Sequence, residues 1–334
     1  MYELATSQAF ILALGALGLG MLMLIKGGDW TVDAAVYIAR HFGVSPLVVG
    51  FTIIAFGTSL PELLVSTNAN FKDLPGISIG NVVGSNIANI LLVLGVTAAI
   101  ATIPAKPRDL ARDLAVMFGS TLYFIYLVNS GEVSRLSGFI MVGLLAIYVG
   151  WQYWMAKRGE VEIDDIDEPA FKSMPLGILF LLIGLVFIAG GAELLVRGAE
   201  VSAGIIGVPD AVIALTLIAL GTSLPELSTC VIAALKKHSD IVLGNIIGSN
   251  VFNILMIIGT TSALKRIEET TQNAALTEIN NIILIITAFL LSILLLFVRK
   301  IPRPVGFLFV AAYIAYLVAV YAMFMSGVTL PVGE

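Results

Sequence analysis

The sequence predicts an all-α polytopic membrane protein, with ten transmembrane helices in two inverted five-helix repeats and breaks in helices 2 and 7. Three observations support this fold class. The chain is 58% hydrophobic and 12% charged, with a mean hydropathy of +1.00, which is far more apolar than a soluble domain. It contains ten long apolar segments, and its two halves repeat the same motifs at a constant offset.

The apolar segments are each long enough to cross the hydrocarbon core as a helix, which takes about 17 to 25 residues. We predict them at residues 7–26, 45–69, 79–102, 113–129, 136–156, 175–196, 208–235, 243–264, 279–298 and 304–326. The residues before the first segment include Glu3 and no Lys or Arg. We therefore expect no secretory signal peptide and expect this segment to remain in the mature protein.

The charges between the segments predict the topology. Thirteen Lys and Arg residues fall on one side and five on the other, so both termini should face away from the cytoplasm. Because each half has an odd number of segments, the halves should be inverted relative to each other. We predict an N-terminal repeat over residues 1–156, an acidic cytoplasmic linker over 157–174 and a C-terminal repeat over 175–334.

Other features of the composition exclude some classes of protein. No basic stripe suggests nucleic-acid binding. The single cysteine, Cys230, excludes a disulfide framework, and we interpret it as a small packing residue. No HExxH or GxSxG motif is present, and the two histidines lie in predicted loops, so a membrane enzyme is not expected.

The repeated motif GTSLPE places a carboxylate inside an apolar segment of each half. It occupies residues 57–62 and 221–226, an offset of 164 residues. The same offset relates GNVVGSN at 80–86 to GNIIGSN at 244–250, and Asn89 to Asn253. A register held over so many positions indicates an internal duplication, so one site can be built from both halves.

Each GTSLPE motif predicts a broken helix with oxygen atoms at the break. Pro61 has no N–H, so it should interrupt the helix and free carbonyls such as that of Ala55, close to Glu62. The corresponding oxygen-bearing residues of both halves are Thr58 and Ser59 with Ala55 and Glu62, and Thr222 and Ser223 with Ala219 and Glu226. Carbonyl, hydroxyl and carboxylate oxygens are the ligands of hard cations such as Ca²⁺ and Na⁺.

The second motif adds amide and hydroxyl ligands. Ser85 and Asn89 are four residues apart, as are Ser249 and Asn253, so each pair lies on one helical face. Asn86 and Asn250 lie on a different face, where they are available to bond freed backbone groups of the broken helices.

The two intramembrane glutamates require compensation, because an isolated acidic residue at mid-membrane costs about 2.5 to 3.5 kcal/mol. No Lys or Arg occurs in the second, third, seventh or eighth segment. A bound cation is therefore expected between Glu62 and Glu226, and H⁺ is a candidate competitor. Asp29 and Glu193 fall near segment ends, and we leave them outside the site.

These motifs resemble the cation/Ca²⁺ exchanger superfamily, closest to the compact prokaryotic sodium/calcium exchangers, and the resemblance covers essentially the whole chain. It implies a site between helices 2, 3, 7 and 8 with two central glutamates. The residues that match the family's ligands are Glu62, Thr58, Ser59, Ser85, Asn89 and the Ala55 carbonyl, and Glu226, Thr222, Ser223, Ser249, Asn253 and the Ala219 carbonyl. One departure is Asn253, where sodium/calcium exchangers usually carry aspartate.

The resemblance implies an antiporter that exports Ca²⁺ in exchange for Na⁺ by alternating access, located in a prokaryotic plasma membrane. The lipid bilayer and the transported ions are the expected partners, with no cofactor, no nucleic acid and no obligate protein partner. Two alternatives remain: an exchanger that uses H⁺ or another divalent cation, and a cation channel in which the acidic pair forms a selectivity filter.

Overall fold

The computed structural model describes residues 6–157, 171–206, 219–268 and 274–326, and these are almost entirely helical. The helices of the first half are α1 Thr6–Phe42, α2 Pro46–Val49, α3 Ala55–Thr58, α4 Leu60–Phe71, α5 Pro75–Ala88, α6 Leu94–Ile100, α7 Pro107–Asn129 and α8 Arg135–Lys157. Those of the second half are α9 Met174–Ile205, α10 Ala219–Thr222, α11 Leu224–Leu235, α12 Ser239–Phe252, α13 Gly259–Leu264, α14 Ala274–Ile293 and α15 Arg303–Ser326.

Wider π-helical turns join or extend several of these helices. They lie at Gly50–Ile54 between α2 and α3, at Asn89–Val93 between α5 and α6, at Asn253–Ile258 between α12 and α13, and at Leu294–Val298 after α14. The turns that begin at Asn89 and Asn253 stand at equivalent positions of the repeat. Single π turns inside α-helices occur frequently at functional sites.

In the described part of the chain, eight helices are long and apolar enough to cross a membrane, and the bent pair Pro46–Thr58 and Leu60–Phe71 makes a ninth. The seventh predicted segment is described only from residue 219, and Leu224–Leu235 is a shorter apolar helix. The chain therefore has the architecture of an integral membrane protein with multiple apolar helices. The tenth span stays a prediction, and residues 158–170 of the predicted linker lie outside the described residues.

The predicted ends of the first and sixth segments were wrong. Residue 26 was expected to end the first helix and residue 196 the sixth, but α1 continues to Phe42 and α9 to Ile205. The extra turns carry charges that suggested loops. Asp29 and Asp33 of α1 instead pair with Lys236 from a distant part of the chain.

Helices α1 and α9 run antiparallel and in close contact along glycines. A Cβ added to Gly20 would lie 2.7 Å from the carbonyl oxygen of Gly191, and one added to Gly27 would lie 2.7 Å from that of Gly184. A residue further along α1 contacts a residue earlier in α9, so the two helices are antiparallel. Gly184 and Gly191 are the repeat equivalents of Gly20 and Gly27, so the contact is reciprocal between the halves.

Two short antiparallel ladders also join the halves. Strand β1 (Ile103–Pro104) pairs with β4 (Lys300–Ile301), and β2 (Glu132–Val133) pairs with β3 (Ile267–Glu268). In each ladder one strand comes from the first half and the other from the second half, so backbone hydrogen bonds connect the two halves at both ladders.

Burial separates a central group of helices from a peripheral one. The apolar window of the helix from Ser239 to Leu264 is 100% buried in the protein, whereas that of α1 is 17% buried and that of α15 is 11% buried. Helix α12 packs against α2, α3 and the turn Gly50–Ile54 of the other half. The broken helix of the first half therefore lies against the innermost helix of the second.

Candidate cation-binding site

The first GTSLPE motif forms a bend rather than a complete interruption. Helix α3 ends at Thr58, Ser59 takes φ −85° and ψ 3°, and α4 begins at Leu60, with an angle of 44° between the two parts. Pro61 has no N–H to donate to the carbonyl of Gly57, four residues earlier. Glu62 falls in the first turn of α4, where the helix dipole favours a negative charge.

The backbone carbonyl of Ala55 is hydrogen-bonded, although the break in the helix was predicted to free it. It accepts the N–H of Ser59 at 3.1 Å and the hydroxyl of Thr58 at 3.4 Å. Ala55 therefore stays hydrogen-bonded, because Ser59 keeps its N–H and the N–H that Pro61 lacks would have reached Gly57 instead. An ion that bound this carbonyl would share it with these two donors.

The second motif repeats this geometry. Helix α10 ends at Thr222, Ser223 takes φ −89° and ψ 0°, and Glu226 lies in the first turn of α11. The Leu227 N–H donates to the carbonyl of Ser223 at 3.0 Å, as the Leu63 N–H donates to that of Ser59 at 3.1 Å. Ala219 begins α10, and its side chain lies outside the described residues.

The predicted site residues with described side chains are almost all buried. Both glutamates are 1% exposed, and so are Thr58, Asn89 and Ser223. Ser59, Ser249 and Asn253 are fully buried, and Ser85 is 4% exposed. Thr222 is half-buried and is the most accessible member of the set.

Many polar atoms of these residues lack a hydrogen-bond partner within the described part of the chain. They are Ser59 Oγ, Glu62 Oε2, Ser85 Oγ, Asn89 Oδ1 and Nδ2, Ser223 Oγ, Glu226 Oε1 and Oε2, and Asn253 Oδ1. Leaving a buried polar atom unpaired costs about 1 to 3 kcal/mol, and such atoms are few in most proteins. All but one of the atoms in this set are oxygens, so their chemistry fits a hard cation.

The two halves meet at the glutamates. Glu62 and Glu226 are close enough for their charges to interact, and Glu226 lies beside the hydroxyl groups of Thr58 and Ser249. Among residues 6–157, 171–206, 219–268 and 274–326, no three or more His, Cys, Asp or Glu side chains are grouped so that they could hold a metal ion. Any cation held here would therefore be coordinated by two carboxylates and neutral oxygens.

Two asparagines that the sequence reasoning missed hold the broken helices in place. Asn81 Nδ2 donates to the backbone carbonyl of Glu62 at 3.2 Å and to Ser66 Oγ at 2.9 Å. Its repeat equivalent, Asn245, donates to Thr229 Oγ1 at 3.0 Å and to Cys230 Sγ at 3.3 Å. Both occur in the repeated GNxxGSN motif, so their identity in the two copies was the available signal.

The same contacts confirm the interpretation of Cys230 as a packing residue. Its side chain is fully buried, and it is a free thiol.

Asn86 and Asn250 contact each other rather than the broken helices, so that expectation was wrong. Asn86 Nδ2 donates to the backbone carbonyl of Asn250 at 3.2 Å, and Asn253 Nδ2 donates to Asn86 Oδ1 at 2.9 Å. Asn250 Nδ2 donates within its own helix to the carbonyl of Ile246 at 2.8 Å. Because Asn86 and Asn250 are repeat equivalents, their contact places them where the two halves meet.

The charged residues Asp29 and Glu193 lie outside this cluster, as expected. Lys236 Nζ lies 2.5 Å from Asp29 Oδ1 and 2.6 Å from Asp33 Oδ1. Burial opposes the Lys236 charge, but hydrogen bonds to Asp29 and Asp33 outweigh this, so the pKa of Lys236 is raised. Glu193 pairs at 2.5 Å with Arg197 on its own helix.

Comparison with known proteins identifies the family. The model of the sodium/calcium exchanger protein family matches residues 12–154 and 176–322. An uncharacterized membrane protein of Methanocaldococcus jannaschii is 38% identical over 304 residues, with 91% of this chain and 96% of the relative covered. The sodium/calcium exchanger MaX1 of Methanosarcina acetivorans is 32% identical over 341 residues, with coverage of 91% and 97%.

A solved structure of the sodium-calcium exchanger NCX_Mj, soaked with 10 mM Na⁺ and no Ca²⁺, superposes with a TM-score of 0.80. It is 36% identical in sequence, and the match covers 93% of this chain and 99% of that one. The sequence motifs, the buried oxygen cluster and these matches agree. The chain belongs to the sodium/calcium exchanger family.

Proposed function

We propose that this protein is a secondary active antiporter that exports Ca²⁺ in exchange for Na⁺ at one mid-membrane site. The observation that carries the proposal is the cluster of buried oxygen atoms, unpaired within the described residues, around Glu62 and Glu226. The proposed ligands are Glu62, Thr58, Ser59, Ser85, Asn89 and the Ala55 carbonyl, with Glu226, Thr222, Ser223, Ser249, Asn253 and the Ala219 carbonyl. The names of relatives such as MaX1 and NCX_Mj, both sodium/calcium exchangers, support the choice of ions.

Charge accounts for the exchange. The two carboxylates neutralise one Ca²⁺ or two Na⁺, whereas Ca²⁺ and Na⁺ together would leave excess positive charge in a buried site. Occupancy by the two kinds of ion is therefore exclusive, and each must leave before the other binds. Asn253 adds an oxygen without adding a charge.

Alternating access then requires the site to open to one side at a time. We propose that α1 and α9 move together past the buried core, because they contact each other along glycines and are largely exposed to lipid. Their antiparallel pairing as repeat equivalents supports two inverted five-helix repeats, residues 1–156 and 175–334, joined by a cytoplasmic linker over 157–174. In this proposal the ten-span chain lies in a prokaryotic plasma membrane with both termini extracytoplasmic.

The experiment is uptake of labelled Ca²⁺ into sealed vesicles that contain the purified protein. Vesicles loaded with Na⁺ are compared with vesicles carrying a proton gradient and with vesicles carrying neither. The proposal expects uptake only with the outward Na⁺ gradient. Uptake driven by protons would assign the protein to proton-coupled exchange, and uptake without a counter-ion would indicate a channel.

A further inference from the structure

We infer that Asn86 is a positioning residue that holds Asn253 with its side-chain oxygen available to the transported ion. This inference rests on the proposed function of the site. Asn86 itself is not among the proposed ligands, and it acts through a hydrogen bond from the amide nitrogen of Asn253.

The hydrogen bonds form a directed chain across the two halves. Asn86 Nδ2 donates to the carbonyl of Asn250 at 3.2 Å, and Asn86 Oδ1 accepts from Asn253 Nδ2 at 2.9 Å. The three residues are at most 1% exposed, so they are shielded from bulk solvent. A backbone carbonyl can only accept, which fixes the orientation of the Asn86 amide and then that of Asn253.

This orientation matters because an amide has two unlike ends. Its oxygen is a ligand for Ca²⁺ and Na⁺, whereas its N–H₂ group would repel either ion. The amide nitrogen of Asn253 donates to Asn86 Oδ1. The amide oxygen of Asn253, Oδ1, has no hydrogen-bond partner within the described residues. The second half therefore presents a neutral oxygen that is oriented before the ion arrives.

The first half lacks the corresponding contact. Neither amide atom of Asn89, the repeat equivalent of Asn253, has a hydrogen-bond partner among the described residues. Asn250, the repeat equivalent of Asn86, donates to Ile246 in its own helix. Two equivalent pairs of asparagines thus give an amide oriented by a side-chain hydrogen bond in one half and an amide without one in the other.

A double-mutant cycle on Ca²⁺ binding tests the inference. Dissociation constants are measured by equilibrium binding of labelled Ca²⁺ to the purified protein and to Asn86→Ala, Asn253→Ala and the double variant. Loss of one hydrogen bond predicts that Asn86→Ala weakens binding about 2- to 10-fold. In the Asn253→Ala background the same change should have no further effect, because the residue through which Asn86 acts is gone.

The equivalent pair supplies the matched control. Asn250→Ala and Asn89→Ala should give additive effects, because Asn250 does not orient Asn89. Unchanged binding by Asn86→Ala, or additive effects of Asn86→Ala and Asn253→Ala, would overturn the inference. A parent protein that binds neither Ca²⁺ nor Na⁺ would instead overturn the proposed function.

Thermal unfolding of each variant separates loss of fold from loss of orientation. If Asn86→Ala does not fold, the cycle is repeated with Asn86→Ser. The serine hydroxyl can bond a carbonyl of its own helix but is too short to replace the amide. Non-additivity with Asn253→Ala is again expected, and additivity again overturns the inference.

Discussion

The two copies of the repeated motif agree at the bends and differ at the residues around them. Ser59 and Ser223 take nearly the same backbone angles, and both glutamates are buried with unpaired oxygens within the described chain. The differences are that Asn253 is tied by a hydrogen bond, and that α1 alone carries two aspartates paired with Lys236. The proposed ligands are therefore alike in the two copies, while the contacts that support them differ.

This comparison distinguishes two kinds of contribution to transport. Residues that are alike in both halves should matter equally in either copy. Residues whose contacts differ should have effects in one copy only. Substitutions at repeat equivalents, or at one contact and a matched control position, distinguish the two kinds of residue.

The largest effect is expected from Glu62→Gln and Glu226→Gln, which remove one charge each at nearly constant volume. Loss of one partner from a buried set of charges costs about 3 to 5 kcal/mol, or at least two orders of magnitude in Ca²⁺ affinity. Vesicle uptake and Ca²⁺ binding should be lost to a similar degree in both variants. Glu193→Gln is the control, because Glu193 is exposed and pairs with Arg197. Full transport by either site variant would contradict the proposed centre.

The next effect is expected from Gly20→Ala, which tests the contact between α1 and α9. The added Cβ would lie 2.7 Å from the Gly191 carbonyl oxygen and 2.8 Å from the Leu195 nitrogen, so the helices must separate. Overpacking of this kind costs about 1 to 3 kcal/mol. We expect a lower thermal unfolding temperature and slower Ca²⁺ uptake.

Gly184→Ala, at the equivalent position of α9, should have a similar effect because the contact is reciprocal. Gly15→Ala is the control on α1, since a Cβ there meets nothing within 4 Å in the described structure. Equal behaviour of Gly15→Ala and Gly20→Ala would show that close packing of these helices is not required.

A smaller effect is expected from Pro61→Ala and Pro225→Ala. Alanine restores an N–H that can bond the carbonyl four residues earlier, which favours a straighter helix and displaces the adjacent glutamate. One altered hydrogen bond predicts about a 2- to 10-fold loss of Ca²⁺ affinity. Pro46→Ala serves as the control, because Pro46 starts a helix capped by Ser45. Unchanged Ca²⁺ affinity in both Pro61→Ala and Pro225→Ala would show that the bends are not needed for ion binding.

Much of the fold and site followed from local pattern. Apolar length predicted most helix positions, and the proline in each GTSLPE motif predicted the bends beside Glu62 and Glu226. The extension of α1 to Phe42 could not be predicted, because its charges are compensated by Lys236, about two hundred positions away in the sequence. Local pattern also missed the link from Asn253 to Asn86, since equivalent residues meet only where the two halves contact each other.

The smallest effect is expected from Lys236→Gln, which removes the link between α1 and the end of α11. The three side chains are 28 to 36% exposed, and partly exposed ion pairs contribute about 0.2 to 1 kcal/mol. At the position equivalent to Lys236 the first half has Lys72, while Asp29 and Asp33 correspond to Glu193 and Arg197. If the two halves exchange conformations during transport, Lys72 would take the place of Lys236. It would then face the opposite charge of Glu193 and the like charge of Arg197.

The link therefore stabilises one of the two proposed states more than the other. Lys236→Gln should change the ratio of apparent Ca²⁺ affinities measured from the two sides of the vesicle membrane by about 1.4- to 5-fold. The same substitution should have little further effect in an Asp29→Asn, Asp33→Asn background. Arg266→Gln, which breaks pairs with Glu132 and Glu268 beside the β2–β3 ladder and does not touch α1 or α9 in the described structure, should leave the ratio unchanged. A shift of equal size in Arg266→Gln would show that net charge, and not the link between helices, sets the ratio.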